Sequence, residues 1–480
     1  MRTYDLVVLG AGSGNMLLGP DLDPLRTAVI ESGRFGGTCL NRGCIPSKML
    51  VVAADAVRAV TEAQRLGVHT TLDRVDWPAI RARVFDRIDP LHDRALEFRR
   101  SNGIDVYLEA ARFVAPRVLQ VGDDQLTADR IVVAVGSRPV IPDIPGLDAV
   151  AYHTTDTIMR IEEIPESLLV IGGGYVAAEL GHVFDAFGAN VTIIQRGPSL
   201  LTTEDEQVSA RFTELAQSRL RVLVDTHTIS VEARGSGVAV TVERDGQTEL
   251  LEAALLLVAT GRRPNTDLLD VAAGHLQVDE HGHLVADDAY RTSVPGVWAL
   301  GDVANHFQLK HMANAEMRVV RHNLTHGDAP RRLSHGVVPH AVFAHPQVAS
   351  AGLTEQEARR GGVDYVVAVR PYADVAYGWA LEDTTSFVKL LADPKKRTLL
   401  GVHIIGPQAA SLLQPLVQAM MLGQTIDQLA HDVLYVHPAL PEVLEQALLE
   451  LAMNAPDSEP KQQRPGAGLG DEFNLPPPPR

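Results

Sequence analysis

Cysteine is nearly absent: the 480 residues contain only Cys39 and Cys44. A secreted scaffold spreads several cysteines through its fold, so a disulfide framework is excluded. Two cysteines do not fill a zinc site, and no His–His spacing nearby completes one, so no metal site is expected. In a reducing compartment a lone close pair reads as a redox pair; the alternative is two buried cysteines in a core helix. Long apolar runs are lacking too. None reaches the roughly 18 residues of a membrane span. The stretch from Tyr4 to Leu9 is ended by Gly10-Ala11-Gly12 too early for a signal peptide. No membrane partner is expected, and the expected location is the cytoplasm. Positive charge is also short, with 43 Lys and Arg against 60 Asp and Glu, a formal net charge of −17. This argues against nucleic acid as a partner and means that any anionic ligand needs local donors.

What is present is ordinary for a globular chain: 45% hydrophobic and 21% charged residues. At roughly 150 residues per domain, the length suggests about three domains. Residues 4–9 read as a buried strand, GAGSGN (10–15) as a glycine turn opening a helix, and Ala28 to Ile30 as a second strand ending in Glu31. The pattern recurs as strand 168–171, GGGYVAAE (172–179), an apolar helix and strand 191–194. Two such βαβ units indicate two nucleotide-binding domains. IVVAVGSRP (131–139) and LLLVATGRRPN (255–265) read as strands leading out of these domains, and Pro142, Pro145 and Gly146 as a linker. VWALGD (297–302) puts Asp302 at a strand end. Beyond about residue 336, strands at 341–343, 365–370, 387–391 and 400–405 precede helical patterns at 408–423 and 440–453. This is an α+β domain. Residues 455–480 are expected to be disordered.

Four groups of residues carry chemistry. Gly10 and Gly12 let the backbone approach a pyrophosphate, and the following helix supplies donors. Glu31 lies where an acid accepts from a ribose hydroxyl. Asn15 stands at the third glycine position, and a plain glycine turn is the alternative. Gly172, Gly174 and Ala177 form a second cradle. Its next strand ends in Gln195-Arg196, where a guanidinium without an acid favours a 2′-phosphate, or is simply a solvated charge. In GGTCLNRGCIPSK (36–48), a helix starting near Cys39 brings Cys44 towards the first sulfur if it is locally distorted. Gly36-Gly37 allows close backbone approach, and Lys48 shares a helix face with Cys44. In HPALPE (437–442), His437 and Glu442 form an acid–base pair; an ordinary half-buried histidine is the alternative.

These motifs, in this order, resemble the flavoprotein pyridine nucleotide-disulfide oxidoreductases over residues 4–453. The resemblance implies an α/β fold with two Rossmann-like domains and a C-terminal α+β dimerisation domain. The FAD domain would comprise 1–150 and 267–336, the NAD(P)H domain 151–266 and the interface domain 337–454. Cys44 would be the charge-transfer thiol and Cys39 the interchange thiol. Lys48, paired with Glu179, would lie near the flavin, and Tyr175 would gate the nicotinamide pocket. Glu31 would bind the adenosine ribose of FAD, and Asp302 its ribitol. Further cofactor contacts would come from Gly14, Gly37, Thr38, Ala111, Gly136, Ser137, Gly261, Arg262, Gly301 and Lys310. His437 and Glu442 would serve the other subunit's cysteines in a homodimer.

GAGSGN, RIDP (87–90), YHTTDTIMRI (152–161), YGWALED (377–383) and LLQPLVQAM (412–420) resemble the branch that reduces mycothione, with NADPH as donor. Thr202 departs from the family pattern, in which an arginine often assists at the 2′-phosphate. Three alternatives remain open at this point. The first is a dihydrolipoamide dehydrogenase using NAD. The second is a metal-ion reductase, disfavoured because no cysteine follows Cys44. The third is a catalytically silent flavoprotein scaffold.

Overall fold

The computed structural model describes residues 1–333 and 335–455. The expected disordered tail therefore lies, beyond Ala455, outside the described residues. The chain divides into two compact units. One comprises Met1–Thr202, Phe212–His335 and Val342–His345; the other comprises Thr203–Arg211, Gly336–Ala341 and Pro346 onward. Among the described residues no helix is long and apolar enough to cross a membrane.

The first unit opens with β1 (Arg2–Leu9), β2 (Thr27–Ile30), α1 (Gly37–Arg42), α2 (Cys44–Glu62), α3 (Trp77–Ile88) and α4 (Pro90–Ser101). β3 (Asp105–Tyr107), β4 (Ala111–Ala115), β5 (Val118–Val121) and β6 (Asp124–Val133) follow. After β7 (Ser137–Pro139) come β8 (Ser167–Ile171), α5 (Tyr175–Ala186), β9 (Asn190–Ile194) and α6 (Glu206–Gln217), which both units share. Then come β10 (Arg221–Leu223), β11 (His227–Arg234), β12 (Gly237–Arg244), β13 (Gln247–Ala253), β14 (Leu255–Val258), β15 (Arg262–Pro264), β16 (Val297–Ala299) and α7 (Lys310–Thr325).

The largest sheet runs β3-β2-β1-β6-β5-β4, with β16 also paired to β6. Its parallel part is apolar on both faces, as a sheet covered on both sides must be. Leu6, Val8, Val29 and Val132 pack on one face; Val7, Leu9, Ile30, Ile131 and Val133 pack on the other. Each such side chain contributes about 1.5–3 kcal/mol by leaving water. A second parallel sheet, β10-β9-β8-β14, accompanies the antiparallel sheet β11-β12-β13, and β7 pairs with β15.

The first βαβ unit departs from expectation. Only Gly14–Leu17 coil, as a single 3-10 turn. Gly19, Pro20 and Pro24 follow, and proline removes an N–H and clashes inside a helix. The second unit keeps a full helix, α5, after its glycine turn.

β17 (His340–Val342) begins in the second unit and ends in the first; the second unit also holds β18 (Val348–Gly352), α8 (Glu355–Arg360), β19 (Val366–Pro371), α9 (Ala376–Ala380), β20 (Phe387–Ala392) and β21 (Leu399–Ile405). α10 (Ala409–Leu422), α11 (Ile426–His431) and α12 (Glu442–Asn454) complete it. Its sheet order is β17-β18-β21-β20-β19. Leu412, Leu416, Val443 and Leu448 from α10 and α12 share one buried cluster with Val388, Leu390 and Ile404 of the sheet.

Candidate active site

α1 and α2 are one helix broken at Gly43, whose backbone sits at φ −142°, ψ −126°. A side chain there would bring its Cβ to 3.0 Å from the Thr38 carbonyl oxygen. The distortion expected between the cysteines is therefore this break. It leaves Cys39 inside α1 and Cys44 as the first residue of the 19-residue α2. Both thiols are free, and each acts on the other's titration more strongly than any other group does. The neighbouring Cys39 thiol brings Cys44 down. The Cys44 thiol pushes Cys39 up, and burial adds to the rise. A helix N-terminus favours a thiolate in the same sense. The pair thus has one sulfur biased to thiolate and the other to thiol.

One lysine acts on the pair and a second lies further along α2. Lys310, at the start of α7, donates to Ser13 Oγ at 2.8 Å and approaches Met16 Sδ at 3.7 Å. Its ammonium attracts both cysteine sulfurs and Asp302, against burial that lowers its own pKa. Lys310→Met is expected to raise the Cys44 thiol by about one pH unit. The measurement is thiolate absorbance across a pH titration of the reduced protein; an unmoved midpoint means that Lys310 does not act on the pair.

Lys48 lies one turn beyond Cys44, with Nζ 3.6 Å from the Phe343 ring centroid, a cation–π contact. The expected direct pairing with Glu179 is not what the structure shows. Glu179 accepts from Phe343 N at 3.0 Å and Ser47 Oγ at 3.3 Å. Its field still acts on Lys48, but burial pushes its own carboxyl up.

The first glycine turn is a backbone-on-backbone contact. Gly10 has φ +99°, and a Cβ there would fall 2.3 Å from the Ala134 carbonyl oxygen. A Cβ on Gly37 would fall 2.8 Å from Gly12 Cα. Glu31 accepts from Ala11 N at 2.7 Å and Gly33 N at 2.8 Å, which fixes its carboxylate at the end of β2. Asn15, at the third glycine position, is gripped by Arg99 through its side-chain and main-chain oxygens at 2.8 and 2.7 Å.

Asp302, in the turn after β16, accepts from Ser137 Oγ at 2.6 Å, and Arg262 Nε donates to that same Oγ at 2.9 Å. Gly136 and Gly261 adjoin Ser137 and Arg262, both at positive φ with open space beside them. Ala111 opens β4, and Thr38 sits half-buried in α1 beside Cys39. One residue that the sequence reading missed holds this loop. Glu316, wholly buried on α7, accepts from Gly301 N at 2.5 Å and Asn305 Nδ2 at 2.7 Å. Burial raises it to about 7. No spacing separates it from a surface glutamate; only the packing of α7 does.

At the second cradle, Gly172 has φ +118° and leaves 2.3 Å between an added Cβ and the Ala259 carbonyl oxygen. Gly174 caps α5, with open space where a side chain would stand, and Tyr175 is 47% exposed beside it. Gln195 donates to the Ser199 carbonyl at 3.1 Å. Arg196 is exposed at the end of β9 and has no ion-pair partner among the described residues.

In the second unit, His437 Nδ1 lies 2.7 Å from Glu442 Oε1, and Glu442 also accepts from Ala439 N at 3.1 Å. The carboxylate is shielded while the imidazole is 72% exposed. Glu442 therefore fixes the ring with Nε2 outward, free to exchange a proton.

The chain matches the family described as pyridine nucleotide-disulphide oxidoreductase over residues 4–317, and its dimerisation domain over residues 338–448. The chain belongs to the pyridine nucleotide-disulphide oxidoreductase family. It is 46% identical to mycothione reductase of Mycobacterium tuberculosis, across 94% of this chain and all of that one. It is 30% identical to dihydrolipoyl dehydrogenase of Geobacillus stearothermophilus, across 94% and 97%. Among solved structures it resembles the HOCl-induced flavoprotein disulfide reductase RclA from Escherichia coli. There the TM-score is 0.81 and the identity 26%, across 93% of this chain and 99% of that one.

Family membership implies FAD and a pyridine nucleotide, and the residues fit both. A Cβ added at Gly136, Gly174 or Gly261 would meet no protein atom, so these turns leave open space for a group to approach the backbone. No side chain caps the N-terminus of α5, which leaves its first backbone N–H groups available to a pyrophosphate.

Proposed function

We propose that this member of the family is an NADPH-dependent reductase of mycothione that works as a cytoplasmic homodimer. The observation that carries the redox reading is the break at Gly43, which sets the free Cys39 in α1 and the free Cys44 at the start of α2, with one sulfur biased to thiolate and the other to thiol. The substrate reading is supported by the full-length 46% identity to mycothione reductase.

In this proposal residues 1–150 and 267–336 hold FAD, 151–266 the pyridine nucleotide, and 337–454 form the interface. FAD is held by Gly10, Gly12, Gly14, Glu31, Gly37, Thr38, Lys48, Ala111, Gly136, Ser137, Gly301, Asp302 and Lys310. The nucleotide is held by Gly172, Gly174, Tyr175, Gln195, Arg196, Gly261 and Arg262. When bound, the two groups supply the electron pair that opens the Cys39–Cys44 disulfide. Lys310 places positive charge beside the reduced pair, favouring thiolate.

Cys39, the sulfur kept as thiol, gives its proton to His437 of the partner subunit and attacks the substrate disulfide. One sulfur–sulfur bond forms as another breaks. The leaving thiolate takes the proton back from the partner's His437, which Glu442 of the same subunit holds in place. Cys44 then attacks Cys39 in the mixed disulfide, releases the second thiolate and restores the Cys39–Cys44 bond. Anaerobic addition of one equivalent of NADPH is expected to expose two titratable thiols per chain. Bleaching of the flavin with no new thiols would defeat the redox assignment.

The coenzyme preference rests on Arg196. Arg196→Leu is expected to raise KM for NADPH about 10- to 100-fold and leave KM for NADH unchanged, because only the 2′-phosphate loses its cation. Equal effects on both coenzymes would count against the phosphate role.

A further inference from the structure

Phe343 follows β17 and meets two helices of the first unit, α2 and α5. Its ring centroid lies 3.6 Å from Lys48 Nζ on α2, well inside the roughly 6 Å range of a cation–π contact. Its N–H donates to Glu179 Oε1 on α5 at 3.0 Å. The other carboxylate oxygen, Oε2, accepts from Ser47 Oγ at 3.3 Å. Both oxygens of Glu179 are thus engaged, and Lys48 makes no ion pair among the described residues.

Phe343 is itself held on both sides. Val342 and Ala344 are buried. Arg219 donates to the His345 carbonyl at 2.7 Å, and His345 Nε2 lies 3.4 Å from Glu62 Oε1 of α2. The ring therefore has a fixed place, whereas the four-carbon stem of a lysine is flexible. The kind of partner matters as well. A carboxylate in contact with the ammonium would cancel its charge. An aromatic face attracts a cation through its quadrupole and carries no net charge. Lys48 is thus held in place and keeps its positive charge.

We propose that Phe343 is a positioning residue: its ring seats the Lys48 ammonium and its N–H keeps Glu179 from pairing with it, so that Lys48 meets the flavin as a cation with no carboxylate in contact. This deepens, and rests on, the reading of Lys48 as a flavin contact. A ring that acts through its face has a signature that mere packing lacks. Fluorine on the ring drains the negative face while leaving shape and volume nearly unchanged, so the hold on the ammonium weakens with each fluorine.

The test uses the FAD-loaded protein and the six lysines of the chain. Position 343 alone is given phenylalanines with one, two and three ring fluorines. After reductive ¹³C-methylation, the Lys48 signal is assigned by its loss in Lys48→Arg. It is expected upfield of the other lysines, because its methyl groups lie over the ring face. It should move towards them stepwise along the fluorine series, join them in Phe343→Leu and stay upfield in Phe343→Tyr. Glu179→Gln should leave it in place. The rate of flavin reduction by NADPH should fall about two- to fivefold across the fluorine series. A Lys48 signal that Phe343→Leu leaves in place overturns the seat, and one unmoved by fluorine overturns the role of the ring face. A loss of the upfield position in folded Glu179→Gln makes the carboxylate the partner and overturns the proposal too. A signal that moves while the flavin-reduction rate stays fixed upholds Phe343 as the seat; it refutes instead the reading of Lys48 as a flavin contact.

Discussion

Cys39→Ser is expected to abolish disulfide reduction, by about 10⁴-fold or more, while NADPH still bleaches the flavin. The size follows from the asymmetry of the pair. The mutual influence that brings Cys44 down pushes Cys39 up. Cys39 is therefore the sulfur that needs a base before it can attack, and a serine hydroxyl at that position is a far poorer nucleophile than a thiolate. Removing it leaves Cys44 in the field of Lys310, so electron entry continues and the electrons find no exit. Stopped-flow absorbance checks the first half, and steady-state NADPH oxidation with a disulfide checks the second. Retained disulfide turnover would show that Cys44 alone can do the exchange.

His437→Gln is expected to lower turnover by about 10²- to 10⁴-fold, the usual worth of a positioned acid–base group. If each site combines Cys39 of one chain with His437 of the other, a mixed dimer of Cys39→Ser and His437→Gln chains regains one intact site. It should recover up to half of the wild-type activity per dimer, although each homodimer is inactive. Mixing and refolding differently tagged chains, followed by tandem affinity selection, isolates that species. A mixed dimer as inactive as its parents would place both groups in one chain's site.

What could be read from sequence was local. The glycine turns, the strand ends carrying Glu31 and Asp302, the CLNRGC run and His437 with Glu442 each lie within a few residues. Backbone geometry ties such spacings to chemistry without knowledge of the fold. The helix expected after Gly12 stops at one turn because Pro20 and Pro24 outweigh the glycine pattern. The charged surface helices α3 and α4 and the sheet β11-β12-β13 were not anticipated. α4 buries none of its residues, so its apolar stripe is weak.

The electrostatics were the least legible part. Glu316 at Gly301, Lys310 at Ser13 and His182 at Asp55 join residues 15, 297 and 127 positions apart. A sequence pattern cannot signal such partners, because their meaning comes from packing. The Lys48–Glu179 pairing was inferred from resemblance; in the structure Phe343 stands beneath the ammonium and its N–H occupies the carboxylate.

The most direct test of the account is NADPH oxidation by the purified protein with mycothione, glutathione disulfide, lipoamide and trypanothione in parallel. The account predicts a kcat/KM for mycothione at least about 100-fold above the others, since a site shaped to pair a substrate's polar groups rejects analogues that lack them. NADH should serve less well than NADPH. Preferential turnover of lipoamide with NAD(H), or no disulfide turnover from protein that NADPH bleaches, would contradict it.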